Sequence, residues 1–154
     1  MKKSIGLIFV SVLAAALVAG CNGSGSNNNN NGFGTNCGGP PNGFQVLYPR
    51  NGAPRVPPGN AGGVYVAAKP PLVVGNSYNF LPVVQSGALP FTSTFATYNG
   101  SIPNPHTSPQ PGSTVYFASF LYPIGPLQTV QLYWNDGGTG CTPNVIVSSF
   151  TTGQ

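Results

Sequence analysis

Glycine and proline interrupt this chain so often that long regular elements are ruled out. There are 22 glycines and 17 prolines among 154 residues, and beyond residue 20 no segment runs a dozen residues without one of them. An average helix needs about a dozen residues, and a proline in its interior costs about 3 kcal/mol. Helical periodicity is absent past residue 43. What lies between the breaks is short and rich in Val, Thr, Tyr and Phe, the composition of strands. Seven candidates follow: Gln45–Tyr48, Val64–Ala67, Tyr78–Val84, Thr92–Tyr98, Thr114–Phe120, Thr129–Trp134 and Val145–Thr151. Two of them, from Thr114 and from Thr129, alternate in part with period two, as strands with one buried and one wetter face do. Pro82 inside the third cannot donate to a ladder, so an edge strand or bulge is expected there. The segment past residue 43 is the size of one domain. Its apolar runs can offset the entropy of ordering, which argues against disorder. The expected fold is an all-β, two-sheet sandwich of about seven strands.

The first twenty residues have a different character. Lys2 and Lys3 form a cationic head, and Ile5 to Val18 is apolar apart from Gly6 and Ser11. This is the pattern of a secretory leader, and it is shorter than the roughly 20 apolar residues that span a bilayer. It closes on Val18-Ala19-Gly20-Cys21, which resembles the lipobox of bacterial lipoprotein signal peptides. That resemblance implies diacylglycerol on the Cys21 thiol and cleavage before Cys21. Each buried methylene of such an anchor contributes about 0.8 kcal/mol, and two or more chains hold where one is marginal. Asn22 to Asn36 follows as glycine, serine and a run of five asparagines. Fifteen residues of such coil reach roughly 20 Å, the length of a spacer. The expected organisation is a leader over 1–20, a lipidated tether over 21–36 and a sandwich over 37–154. The implied location is the bacterial cell envelope, on a membrane and facing the periplasm or exterior. Asn22, where Asp favours inner-membrane retention in some lineages, tilts the expectation to the outer membrane.

The formal charge of +4 suggests a basic protein, yet half of it comes from the leader. Without Lys2 and Lys3 there remain Arg50, Arg55 and Lys69 against Asp136, a net of +2. Phosphate-backbone binding needs several clustered cations, so a nucleic-acid partner is excluded.

Leu47-Tyr48-Pro49-Arg50-Asn51-Gly52-Ala53-Pro54-Arg55-Val56-Pro57 resembles the opening of bacterial Ig-like domains of the S-layer type, in the pattern Pro-x-x-Gly-Ala-x-x-Val-Pro. Val64-Tyr65-Val66-Ala67 stands where that family has its second strand, and Ser149-Phe150-Thr151-Thr152 is similar to its closing strand. The chain departs from the family at Leu127-Gln128-Thr129-Val130, where a Leu-x-Pro-x-Thr-x-Tyr pattern is usual. The resemblance implies an Ig-like sandwich serving as a scaffold; the family includes adhesins, surface-layer proteins and accessory modules of envelope enzymes. With Cys21 committed to lipid, Cys37 and Cys141 are left as a pair in an oxidising compartment. In an Ig-type sandwich the start of the first strand and the last hairpin loop lie at one end, so a Cys37–Cys141 disulfide is expected. The chain-entropy model gives such a loop of about 100 residues on the order of 4.7 kcal/mol.

Little chemistry can be assembled from the remaining side chains. Asp136 is the one acidic residue, so a carboxylate pair for glycoside hydrolysis cannot form. His106, between Pro105 and Thr107, is the one histidine, too few for a zinc site and expected as an exposed loop residue. No nucleophile elbow or phosphate-binding loop occurs, and no cofactor is expected. The rings of Tyr116, Phe117, Phe120, Tyr122, Tyr133 and Trp134 are expected mainly in the core; a coplanar exposed set would suit sugar stacking. Two functions remain as expectations. One is a non-catalytic, lipid-anchored envelope module that contacts an unidentified surface protein through loops or a sheet edge. The other is a carbohydrate-binding module for cell-wall or envelope glycan.

Overall fold

The computed structural model describes residues 36–57, 62–73, 75–137 and 140–154. The leader and Cys21, with the tether up to residue 35, lie outside the described residues. Nine strands form two sheets, and no helix occurs among the described residues. The strands are β1 (Gln45–Tyr48), β2 (Ala53–Val56), β3 (Gly63–Ala68), β4 (Asn79–Val84), β5 (Gly87–Ala88), β6 (Ala96–Thr97), β7 (Thr114–Ser119), β8 (Thr129–Asn135) and β9 (Ile146–Thr152). One sheet has the order β1-β3-β7-β6 and the other β2-β9-β8-β4-β5. This all-β, two-sheet sandwich has the strand order of immunoglobulin-type domains, with a first strand divided between the sheets. Every paired neighbour is antiparallel except β2 with β9.

The division of the first strand explains why nine strands stand where seven were expected. Pro49 to Gly52 forms a corner at which the chain leaves one sheet and joins the other. Gly52 adopts φ +75°, a conformation open to glycine, and its N–H donates to the Ser149 carbonyl at 2.7 Å. Asn51 Oδ1 accepts from Ser149 N–H at 2.9 Å. The Pro-x-x-Gly-Ala segment therefore begins a second strand, β2, parallel to β9, and does not simply end the first. β5 has only two residues and carries no hydrophobic signal of its own. Pro82 sits between β8 and this two-residue edge strand. Its carbonyl accepts from Leu89 N–H on the β5 side, so its missing N–H also faces that edge and the ladder to β8 is spared.

Candidate strand 92–98 contracts to β6, because the chain there crosses between sheets. Thr92 exchanges hydrogen bonds with the Phe80 backbone, through its own N–H at 2.9 Å and its Oγ1 at 3.0 Å. One residue on, Ser93 N–H donates to Ser119 O, and Ser93 Oγ accepts from Ser119 N–H. Those bonds tie β4 of one sheet to β7 of the other.

Trp134 and Phe80, both fully buried, fill the space between the sheets with Leu132, Val130, Val64 and Val66. Phe44 meets the Trp134 ring edge-on at 4.8 Å, and Tyr78 stacks on it at 5.3 Å. β8 alternates buried and half-buried positions past Thr129, as expected, but all six residues of β3 are buried. Val64, Val66 and Ala68 face the inter-sheet core; Tyr65 and Ala67 join Leu47 in a second cluster. A Cβ on Gly63, at the head of β3, would run into the Ala118 carbonyl and the Phe117 ring.

The chain enters at the end where β8 and β9 connect. Cys37 and Cys141 form a disulfide with Cα atoms 4.8 Å apart, 104 residues apart in sequence. Asn36 bridges Thr142, Cys37 N–H donates to Thr142 O at 3.0 Å, and Gly38 N–H donates to Asp136 Oδ2 at 2.8 Å. Replacing both cysteines with serine should lower unfolding free energy by roughly 2–5 kcal/mol, read by urea denaturation with and without reductant. Reductant-insensitive stability in the native protein would contradict the bridge.

Candidate functional site

The residues with chemical potential are held apart and mostly occupied. Asp136 is half-buried at the bridged end, where its carboxylate accepts from Gly38 N–H. His106 lies in the loop over 99–113. It is half-buried, with Nδ1 enclosed and unpartnered, which corrects the expectation of an exposed side chain. The reason is that this loop folds onto the outer face of the four-stranded sheet. Thr107 N–H donates to Leu47 O at 2.9 Å, Gln110 N–H to Gln45 Oε1 at 3.1 Å, and Lys69 Nζ to Pro111 O at 2.9 Å. Cys37, Asp136 and Cys141 bring ligand-type atoms within 4.8 Å of one another, but sulfurs joined to each other are not thiolates, the form that binds zinc.

Beneath the 99–113 loop lies an aromatic cluster that composition did not reveal. Tyr65 packs against Tyr98 at 4.9 Å, Phe117 at 4.8 Å and Tyr48 at 6.1 Å. Tyr65 shares a hydrogen bond with Tyr98, whose hydroxyl donates to Ser101 O at 3.0 Å. Burial pushes the hydroxyls of Tyr48 and Tyr65 above the usual tyrosine range. For Tyr65 the hydrogen bond and the adjacent Tyr98 and Tyr48 add to that shift. The only sequence signal for this layer was the unbroken Val-Tyr-Val-Ala-Ala run of β3.

Of the six rings weighed for sugar stacking, Trp134 and Tyr116 are buried, and the Tyr116 hydroxyl accepts from Leu72 N–H at 3.0 Å. Phe117 belongs to the outer cluster, Phe120 packs on the core, and Tyr133 is half-buried with its hydroxyl donating to Gln131 Oε1 at 3.3 Å. Tyr122 alone is exposed, at 60%. These rings do not form a coplanar exposed set.

The surface feature best suited to binding lies at the end opposite the disulfide. A cavity of about 180 Å³ opens under the β1–β2 corner, between Tyr48, Pro49, Val56, Phe120, Ile124 and Phe150. No charged side chain lines it. The Thr152 hydroxyl at its edge donates to Gly125 O at 2.8 Å and accepts from Gln128 N–H at 2.8 Å. A groove of about 830 Å³ adjoins it, sharing Pro57 and Thr152 and adding Arg55 and Leu127. Leu121, Tyr122 and Leu127, all more than half exposed, stand in the turn between β7 and β8 at this same end. Sequence reasoning missed the site because its walls come from six separated segments.

The tyrosine cluster predicts a pH dependence. A group whose pKa is higher folded than unfolded contributes stability that is intact below the unfolded value and lost as pH rises through the folded one. The urea midpoint should therefore hold up to about pH 10 and fall beyond it. Tyr65→Phe should cost roughly 0.5–1.5 kcal/mol near neutrality and make the alkaline fall shallower. An unchanged alkaline slope in this variant would assign the effect elsewhere.

No family model, curated protein or solved structure matches the chain.

Proposed function

We propose that the chain is a bacterial lipoprotein, acylated at Cys21, whose sandwich is a non-catalytic interaction module of the cell envelope. The observation that carries this reading is Cys21 standing directly after Val18-Ala19-Gly20 at the close of a short apolar leader. The domain chemistry agrees with a binding role. Its single carboxylate is engaged with the entering chain at Gly38, and its single histidine sits in the loop over the tyrosine cluster, so neither forms a catalytic pair with the other. The chain enters the sandwich at the bridged end. The end opposite the bridge offers a cavity, a groove and exposed Leu121, Tyr122 and Leu127 for contact. An S-layer-type Ig-like ancestry fits this role as a scaffold. Contact with a protein is favoured over glycan stacking, since Tyr122 is the only exposed ring among the six.

Radiolabelled palmitate should enter the protein in bacterial cells, and Cys21→Ala should abolish the label and move the protein to the soluble fraction. An unlabelled wild-type protein, or a Cys21→Ala variant still bound to membrane, would refute the anchor. Outer-membrane placement predicts that the wild type co-fractionates with outer-membrane markers in a sucrose gradient.

A further inference from the structure

The geometry points to the cavity beneath the β1–β2 corner as the receptor for one aromatic side chain of an acidic protein segment, with Arg55 in the adjoining groove engaging its carboxylates. The inference rests on reading the domain as an interaction module, but not on the lipid anchor.

Size and lining select the anchor residue. A volume of about 180 Å³ compares with the roughly 150 Å³ apolar cavity that stays dry and admits benzene. It accommodates a single ring and little more. The walls are prolines, aliphatic groups and the rings of Tyr48, Phe120 and Phe150, so a charged or strongly polar group would be stripped of water without compensation. Trp and Tyr are, with Arg, the side chains most enriched at binding hot spots, and of these the rings suit uncharged walls.

The groove selects what flanks that ring. It is continuous with the cavity through Pro57 and Thr152 and is several times larger, at about 830 Å³, which suits a short stretch of peptide on either side of the anchor. Arg55 lines it, and Arg50 is exposed at the neighbouring corner. Asp136, the only acidic side chain of the protein, is at the other end of the sandwich and bound to Gly38. Gln154 also lines the groove, and its carboxyl group offsets one of the two arginine charges; with no acidic side chain at this end a net positive charge remains, so an acidic segment is steered toward it and a basic one repelled.

The test uses the purified full chain and three peptides: acetyl-Glu-Phe-Glu-amide, acetyl-Glu-Ala-Glu-amide and acetyl-Lys-Phe-Lys-amide. Calorimetry and chemical-shift mapping at low salt should show the first binding at the cavity lining. The alanine peptide should bind about tenfold or more weaker, since losing a buried ring costs at least about 1.4 kcal/mol. The lysine peptide should bind severalfold weaker, with the gap closing as salt is raised. Arg55→Gln should erase the preference for Glu over Lys while retaining that for Phe over Ala. Ile124→Trp should fill the cavity and remove the Phe preference. Val56→Phe fills it from another wall and serves if Ile124→Trp does not fold. Equal binding of the three peptides, no binding at millimolar concentration, or toluene entering the cavity with no peptide preference would each overturn the proposal. Palmitate incorporation would be untouched by any of these outcomes, so failure here is separable from failure of the anchor.

Discussion

Everything in this sandwich is arranged around β3 being covered on both faces. Val64, Val66 and Ala68 face Trp134 and Phe80 across the inter-sheet space, while Tyr65 and Ala67 face outward under the 99–113 loop. An antiparallel sheet commonly leaves its outer face to water; here a proline-rich loop takes the place of a third layer. Steric demands on β3 follow directly. Gly63 passes the Ala118 carbonyl too closely for any side chain, and Ala67 and Ala68 are fully buried at positions where the two layers close in. A domain with no helix among its described residues and with short sheets thereby gains a second apolar cluster and the burial that goes with it.

This double coverage also decides which parts of the fold could be read from the sequence. β4, β7 and β8 were legible because each has one buried face and shows it as alternation or as an aromatic, β-branched run. β3 was legible as a strand, but its continuous hydrophobicity gave no hint of what covers its outer side. The loop that covers it contains Pro103, Pro105, Pro109 and Pro111 and reads as solvent-exposed linker. It works as a cover because its backbone donors reach β1 through Leu47 O and Gln45 Oε1, pairings that no local pattern encodes. β2 and β5 were missed for the opposite reason. Each is too short to show a period, and each is defined by a neighbour far away in sequence or by a turn. Segment 92–98 looked like one strand because its residues favour extended backbone; crossing between sheets uses extended backbone too, with hydrogen bonds to β4 and then β7.

The disulfide was legible and the cavity was not, and the contrast is physical. A cysteine pair needs only two residues at one end of a sandwich, and in an Ig-type sandwich the start of the first strand and the last hairpin loop share an end. The cavity depends on the corner from Pro49 to Gly52 displacing β2 into the other sheet, on Gly62 and Gly63 contributing no side-chain bulk, and on the turn after β7 stopping short of filling the gap. None of these is a property of one segment.

The sparse charges acquire meaning from the same end-to-end order. Asp136 and the disulfide fasten the entering chain at one end, so the single carboxylate is spent where it closes the fold. Arg50 and Arg55 fall at the other end because both belong to the corner and strand that carry the chain across to the second sheet. The corner opens the cavity for the same reason, since moving β2 out of the first sheet leaves the space under Tyr48 and Pro49 only partly filled. Positive potential and an apolar recess thus share one structural cause. A variant that kept β1 and β2 in a single sheet would lose the recess and carry its arginines to a different edge.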